Sequence, residues 1–165
     1  MKIEQIYTSC LSQGSYYIVS EKEAVIIDPL RETQQYIEKA KKDGVKIKYV
    51  FETHFHADFV SGHIDLARNT GAEIIFGPNA QTDYPVHNAK DSEIFNVGKI
   101  KIKAIHTPGH TPESTCYLLS DENGKNKAIF TGDTLFIGDV GRPDLATSSN
   151  VTTEDLAGIL FDLSL

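Results

Sequence analysis

Residues 52–63 read ETHFHADFVSGH, which sets His54, His56 and Asp58 at alternate positions just after a strand-like run. Two later stretches carry the same kinds of donor. AIHTPGHTPES puts His110 behind a Thr-Pro-Gly turn, and IFTGDTLF puts Asp133 behind a glycine, each at the end of a β-type run. Exits of strands are where mixed α/β folds build their sites. Taken together, His54, His110 and Asp133 are two imidazoles and one carboxylate on separate elements, the donor set that holds a single non-haem Fe(II) and leaves coordination positions open. Zinc accepts the same atoms. His56 and Asp58 either ligate or orient the ligands from behind. Without the two later stretches, surface residues of a loop would stand as the alternative reading of the paired histidines.

The elements that must carry these residues are legible from periodicity. Ile3–Tyr7, Tyr16–Val19 and Ala24–Ile27 read as a meander of short strands. TQQYIEKAKKDG, with Tyr36, Ile37 and Ala40 at helical spacing and Gly44 as C-terminal stop, predicts a helix, followed by the strand IKYVF. VSGHIDLARNTG repeats the scheme, with Val60, Ile64 and Ala67 on its apolar face and AEIIF as the next strand. EIFNVG, KIKAIH, STCYLL and KAIFTG then read as strands, with DENGKN a hairpin turn. Thr152-x-x-Asp155 has the form of a capping box for a last helix bearing Leu156, Ile159 and Leu160. The pattern is α/β (α+β in some schemes), with one or two largely β layers in a single domain over 1–165.

Composition narrows the partners. Sixteen basic against 23 acidic side chains give a net charge of −7, which argues against nucleic acid or an anionic membrane surface. The N-terminus has no apolar signal core and no run reaches the length of a membrane span, so a cytoplasmic location is expected. Cys10 and Cys116 lack CxxC spacing and suggest neither a disulfide framework nor a thiolate zinc knuckle.

THFHAD, HTPGHT and TGDTLF, with the earlier AVIIDP, closely resemble the metallo-β-lactamase superfamily. TGDTLFIGDVGRPDL and HADFVSGH are most similar to its persulfide dioxygenase branch, in particular to bacterial proteins with rhodanese modules downstream. The resemblance implies an αββα sandwich, one Fe(II) per chain on His54, His110 and Asp133, and His56 and Asp58 behind the ligands. It also implies that Asp28 is a buried structural acid. The implied reaction is oxidation of a small thiol persulfide, of the glutathione or coenzyme A type, by O₂ to sulfite and free thiol. Two-metal members such as hydroxyacylglutathione hydrolase generally carry HxHxDH, whereas here Phe59 stands at the last position. A phenyl ring offers no electron pair to a metal, so a second site loses a ligand. Some single-iron relatives keep that histidine.

The alternatives are a zinc thioester hydrolase of the hydroxyacylglutathione hydrolase type and a non-catalytic metal-binding fragment. Arg142 is suited to grip a carboxylate or phosphate of the substrate, or else to pair with Asp139 or Asp144. His63 is expected on the surface of its helix, His106 in packing or hydrogen bonding, and His87 in a polar loop. Because relatives continue past the equivalent of Leu165, the second sheet is expected to be incomplete at the C-terminus. Its open edge or exposed apolar helix surface would favour a homo-oligomer.

Overall fold

The computed structural model describes residues 1–144, 146–147 and 151–163. Leu145, the last residue of the TGDTLFIGDVGRPDL motif, and Leu165, the end of the expected domain, lie outside them. Strands β1 (Lys2–Thr8), β2 (Gln13–Ser20) and β3 (Glu23–Ile27) form the expected antiparallel meander. Helix α1 (Gln34–Asp43) crosses to β4 (Lys46–Phe51), and α2 (His63–Thr70) to β5 (Glu73–Phe76), both in parallel with the strand before. With β6 (His87–Asn88) they complete a six-stranded sheet in the order β1-β2-β3-β4-β5-β6. A second sheet, in the order β10-β9-β8-β7, is built from β7 (Ile94–Val97), β8 (Ile100–His106), β9 (Thr115–Ser120) and β10 (Asn126–Phe130). A small hairpin of β11 (Leu135–Phe136) and β12 (Asp139–Val140) follows, and then helix α3 (Thr153–Leu163). This is the αββα sandwich that the resemblance implies.

The alternation of side chains along each strand explains the layering. Ile18, Val25, Ile27, Phe51 and Ile75 of the first sheet meet Phe95, Val97, Ile102, Tyr117 and Leu119 of the second in one buried cluster. Each such aliphatic or phenyl side chain, fully buried, is worth roughly 1.5–3 kcal/mol. The opposite face of the first sheet offers Tyr17, Ala24, Ile26 and Val50 to Tyr36 and Ala40 of α1 and Leu66 of α2. Tyr36 and Ala40 are one helical turn apart, which is the spacing that the sequence displayed.

In α2 the expected face is rotated. The helix begins only at His63, Val60 is 64% exposed, and Leu66 rather than Ile64 is its buried anchor. The cause is the segment before it. Gly62 donates its N–H to Pro29 O and runs so close to the Leu30 carbonyl that a Cβ would collide with it, which keeps Ser61 and Gly62 out of the helix. The two-residue strands β6, β11 and β12 are too short to leave a periodic signal, and His87, expected in a loop, lies in β6 between Glu73 and Glu93.

α3 starts from the expected box: Thr152 Oγ1 accepts from Asp155 N at 3.1 Å, and Asp155 Oδ2 accepts from Thr152 N at 2.9 Å. Its Leu160 rests on Gly109 of the Thr-Pro-Gly turn. β10 ends the second sheet, and among the described residues no strand pairs with its far side. Ile129 on β10 and Ile159 on α3 are exposed. Among the described residues no helix is long and apolar enough to cross a membrane.

Candidate metal centre

β3, β4, β8 and β10 all run out toward the same place, and the residues just past their ends make the site. Asp28 follows β3, residues 52–58 follow β4, His110 follows β8, and Asp133 lies in a single 3-10 turn, Gly132–Thr134, after β10. One ligating atom from each of His54, His110 and Asp133 lies within 4.8 Å of the others. Asp133 Oδ2 stands 4.0 Å from His54 Nε2 and 3.7 Å from His110 Nε2.

Both imidazoles are held with the correct nitrogen free. Thr53 Oγ1 donates to Asp28 Oδ2 at 2.8 Å, so its contact of 3.0 Å with His54 Nδ1 must be filled by the ring's N–H. His110 Nδ1 lies 2.9 Å from the carbonyl oxygen of Arg142, which only accepts. Each ring is therefore a proton donor at Nδ1 and presents the lone pair of Nε2 toward Asp133, the orientation that outer partners give to metal-binding histidines. Burial, with His56 close by, pushes His54 down to about 4, so it is neutral and ready to bind at ordinary pH. Asp133 is pushed up, by burial in the first place and against the pull of His110 and His56. The residues present fit a single ion bound by two imidazole nitrogens and one carboxylate oxygen.

Close backbone approaches set this geometry. Gly132, at φ +50°, abuts Thr53, and Gly141 passes so near the Asp133 carbonyl that any Cβ there would overlap it. Thr107 and Thr134 share a hydrogen bond of 3.0 Å that ties the His110 loop to the Asp133 turn.

His56 is turned elsewhere. Its Nε2 lies 3.1 Å from Asp28 Oδ1 and 3.9 Å from Glu52 Oε2, and the Phe59 ring stacks on it with centroids 4.3 Å apart. With Nε2 facing the Asp28 carboxylate, only Nδ1 would remain for a metal at the triad. Asp28, 4% exposed, also accepts from Thr53 N at 2.8 Å, and so acts as the buried structural acid that the resemblance implies. Asp58 is exposed and borders the cavities on both sides of the triad. The Arg142 guanidinium closes on Asp144 with bonds of 3.0 and 2.7 Å, one of the two pairings weighed against substrate recognition.

Three features had no role in the sequence reading. Glu52, 1% exposed, accepts from Ser61 Oγ and is pushed well above the usual carboxylate range by burial and then by Asp28. Its position as an acid at the end of an apolar strand was the available signal. Thr53 orients His54, and buried Glu113 accepts from Phe55 N at 3.0 Å, pinning the loop. His63, expected on the surface, is instead half-buried, with Nε2 2.8 Å from Tyr84 Oη and Nδ1 3.7 Å from Glu52. His106 donates from Nε2 to Pro112 O and braces the His110 turn, the hydrogen-bonding role expected of it.

The profile of the Metallo-beta-lactamase superfamily matches residues 10–163. The chain belongs to this superfamily. The metallo-β-lactamase fold is met again in a solved structure of a metallo-beta-lactamase from Staphylococcus aureus subsp. aureus COL, 40% identical, with a TM-score of 0.88 over 98% of this chain and 50% of that one. ETHE1 from Myxococcus xanthus is 29% identical, with a TM-score of 0.82 over 98% of this chain and 68% of that one. Among curated relatives, the probable hydroxyacylglutathione hydrolase glo2 of Schizosaccharomyces pombe is 36% identical over 78% of this chain and 51% of its own length. The chain spans about half the length of the curated relatives that it matches.

The His56–Asp28 contact has a measurable signature in this metallo-β-lactamase fold. Burial works against the charge on His56, but Asp28 and Glu52 more than offset it and raise the group from 6.5 to about 9. A proton held more tightly in the folded state stabilises the fold fully below pH 6.5 and loses that contribution as pH climbs through about 9. In the metal-free protein, the stability gap between wild type and His56→Gln, read by urea denaturation, is expected to narrow over this window. A constant gap would mean that the buried imidazole carries no charge.

Proposed function

We propose that the chain binds one Fe(II) through His54, His110 and Asp133 and oxidises a small thiol persulfide. The observation that carries this reading is Phe59. It occupies the place of a second-metal ligand and stacks on His56 instead, while the three remaining donors are already oriented on one point. The likeness of TGDTLFIGDVGRPDL and HADFVSGH to the persulfide dioxygenase branch supports it. Bound iron would supply the redox chemistry that no side chain can perform. The chain's own part is to hold three donors on one side, turn Nε2 of both imidazoles inward, and leave space beside Asp133 for substrate. The reaction balances as one persulfide, one O₂ and one water giving thiol, sulfite and two protons.

A second reading, a zinc thioester hydrolase, is favoured by the names of the curated relatives. It would use His56 Nδ1 and a metal-activated water, with Asp58 as the remaining donor of a second site. One experiment separates the two. Protein loaded anaerobically with iron is given glutathione persulfide in an oxygen electrode cell, and zinc-loaded protein is given S-lactoylglutathione. Oxygen uptake with stoichiometric sulfite is expected. Thioester hydrolysis without oxygen uptake would replace the first reading by the second.

A further inference from the structure

A cavity of about 570 Å³ opens beside the triad, between β1 and β2 of the first sheet and β10 and β11 on the other side. Asp58 and Asp133 line it, so a group bound at the triad can extend into it. The wall toward the first sheet carries a polar pair, Gln5 and Tyr16, which face each other in register across β1 and β2. On its other side Tyr16 is paired with Ile27, the residue before Asp28. The two side chains share a hydrogen bond of 3.1 Å, in which Gln5 Nε2 donates to Tyr16 Oη.

The pair is held in place from both sides. Gly14 leaves the space in which the Gln5 amide lies, since a Cβ there would stand 2.8 Å from Gln5 Nε2. The Tyr16 ring meets Phe130, the last residue of β10, edge to face with centroids 4.7 Å apart. Burial pushes the Tyr16 phenol up, with the Gln5 bond working against it and Asp28 with it, so the hydroxyl keeps its proton. A phenol brings one donor hydrogen and a carboxamide two, and a single bond between them uses one. A donor therefore remains for the cavity whichever way the Gln5 amide is turned.

A donor fixed to the wall of a cavity that also reaches a metal site recognises an oxygen at a set distance from the bound atom. Exchanging water for such a donor brings a modest gain in affinity and a larger one in orientation. We propose that Gln5 and Tyr16 position the substrate by donating a hydrogen bond to an oxygen, carbonyl or carboxylate, on the arm of the thiol whose sulfur sits at the triad. The inference rests on the sulfur-substrate reading above and adds to it a feature of the arm.

Binding can be read without turnover. Cobalt(II)-loaded protein is titrated with pentanethiol, with its ω-carboxylate mercaptopentanoate and with N-acetylcysteamine, and the change in cobalt absorption gives each affinity. These thiols are of similar reach and bear no oxygen, a carboxylate and a carbonyl in turn. Tyr16→Phe keeps the ring against Phe130 and removes only the hydroxyl. It is expected to weaken one or both of the oxygen-bearing thiols by roughly three- to tenfold and to leave pentanethiol unchanged. The thiol that loses affinity tells which kind of oxygen is bound. Gln5→Leu, at an exposed position, is expected to show a loss with the same selectivity and repeats the comparison without touching the core. No loss with either oxygen-bearing thiol, or an equal loss with all of them, would overturn the proposal. Protein that shows the selective loss yet consumes no oxygen with glutathione persulfide would keep this inference and lose the dioxygenase reading.

Discussion

Asp133→Ala is expected to reduce bound metal from one ion per chain to almost none and to remove turnover with it. Three donors that face one point leave no spare ligand, and Asp133 Oδ2 is the atom that stands between the two imidazole nitrogens. The informative comparison is Thr53→Val. It leaves all three donors in place and removes only the hydroxyl that fixes the His54 ring, and loss of such an outer partner costs roughly 10–100-fold in metal affinity. Competition with a chromophoric chelator measures both variants. Undiminished metal in Asp133→Ala would disprove the assignment of the triad, whatever the activity assays give.

Asp28→Ala is expected to have the largest effect on stability. The carboxylate accepts from the backbone and hydroxyl of Thr53 and faces His56, and all three partners are buried. Removing one member of a buried ion pair leaves the other charge uncompensated, at roughly 3–5 kcal/mol. Denaturation of the metal-free protein should show a loss of that order, and a change under about 1 kcal/mol would show that His56 simply sheds its proton when the partner goes. Asp28→Asn keeps the shape while losing the charge and should fall between the two.

The sequence displayed the parts of the site whose identity is chemical and concealed those whose identity is relational. His54, His110 and Asp133 could be found because each is a strong donor placed at a strand exit beside turn-forming residues. Thr53 could not, since its role depends on Asp28, 25 residues away, and on the way β3 and β4 lie side by side. The same holds for Glu52, whose backbone carbonyl accepts from Tyr117 Oη across 65 residues of chain. Among the elements, α1 was readable because its apolar spacing and its C-terminal glycine agree. The buried face of α2 was misread because a close approach between Gly62 and Leu30, invisible in local periodicity, delays the start of the helix. Phe59 was legible as a missing ligand, but its stacking on His56 was not.

The three donors come from opposite halves of the sandwich: His54 follows a strand of the first sheet, while His110 and Asp133 follow strands of the second. No complete site therefore exists until the two sheets have docked. Contacts so distant along the chain close late and slowly in folding, and an unfolded chain has no comparable affinity for the ion. Metal capture then reports the end of folding rather than an early stage. A bound ion would act as a clasp across the interface: at a free concentration 1,000 times its dissociation constant it would add about 4 kcal/mol to global stability. The free metal concentration would then help to set how long this chain survives proteolysis.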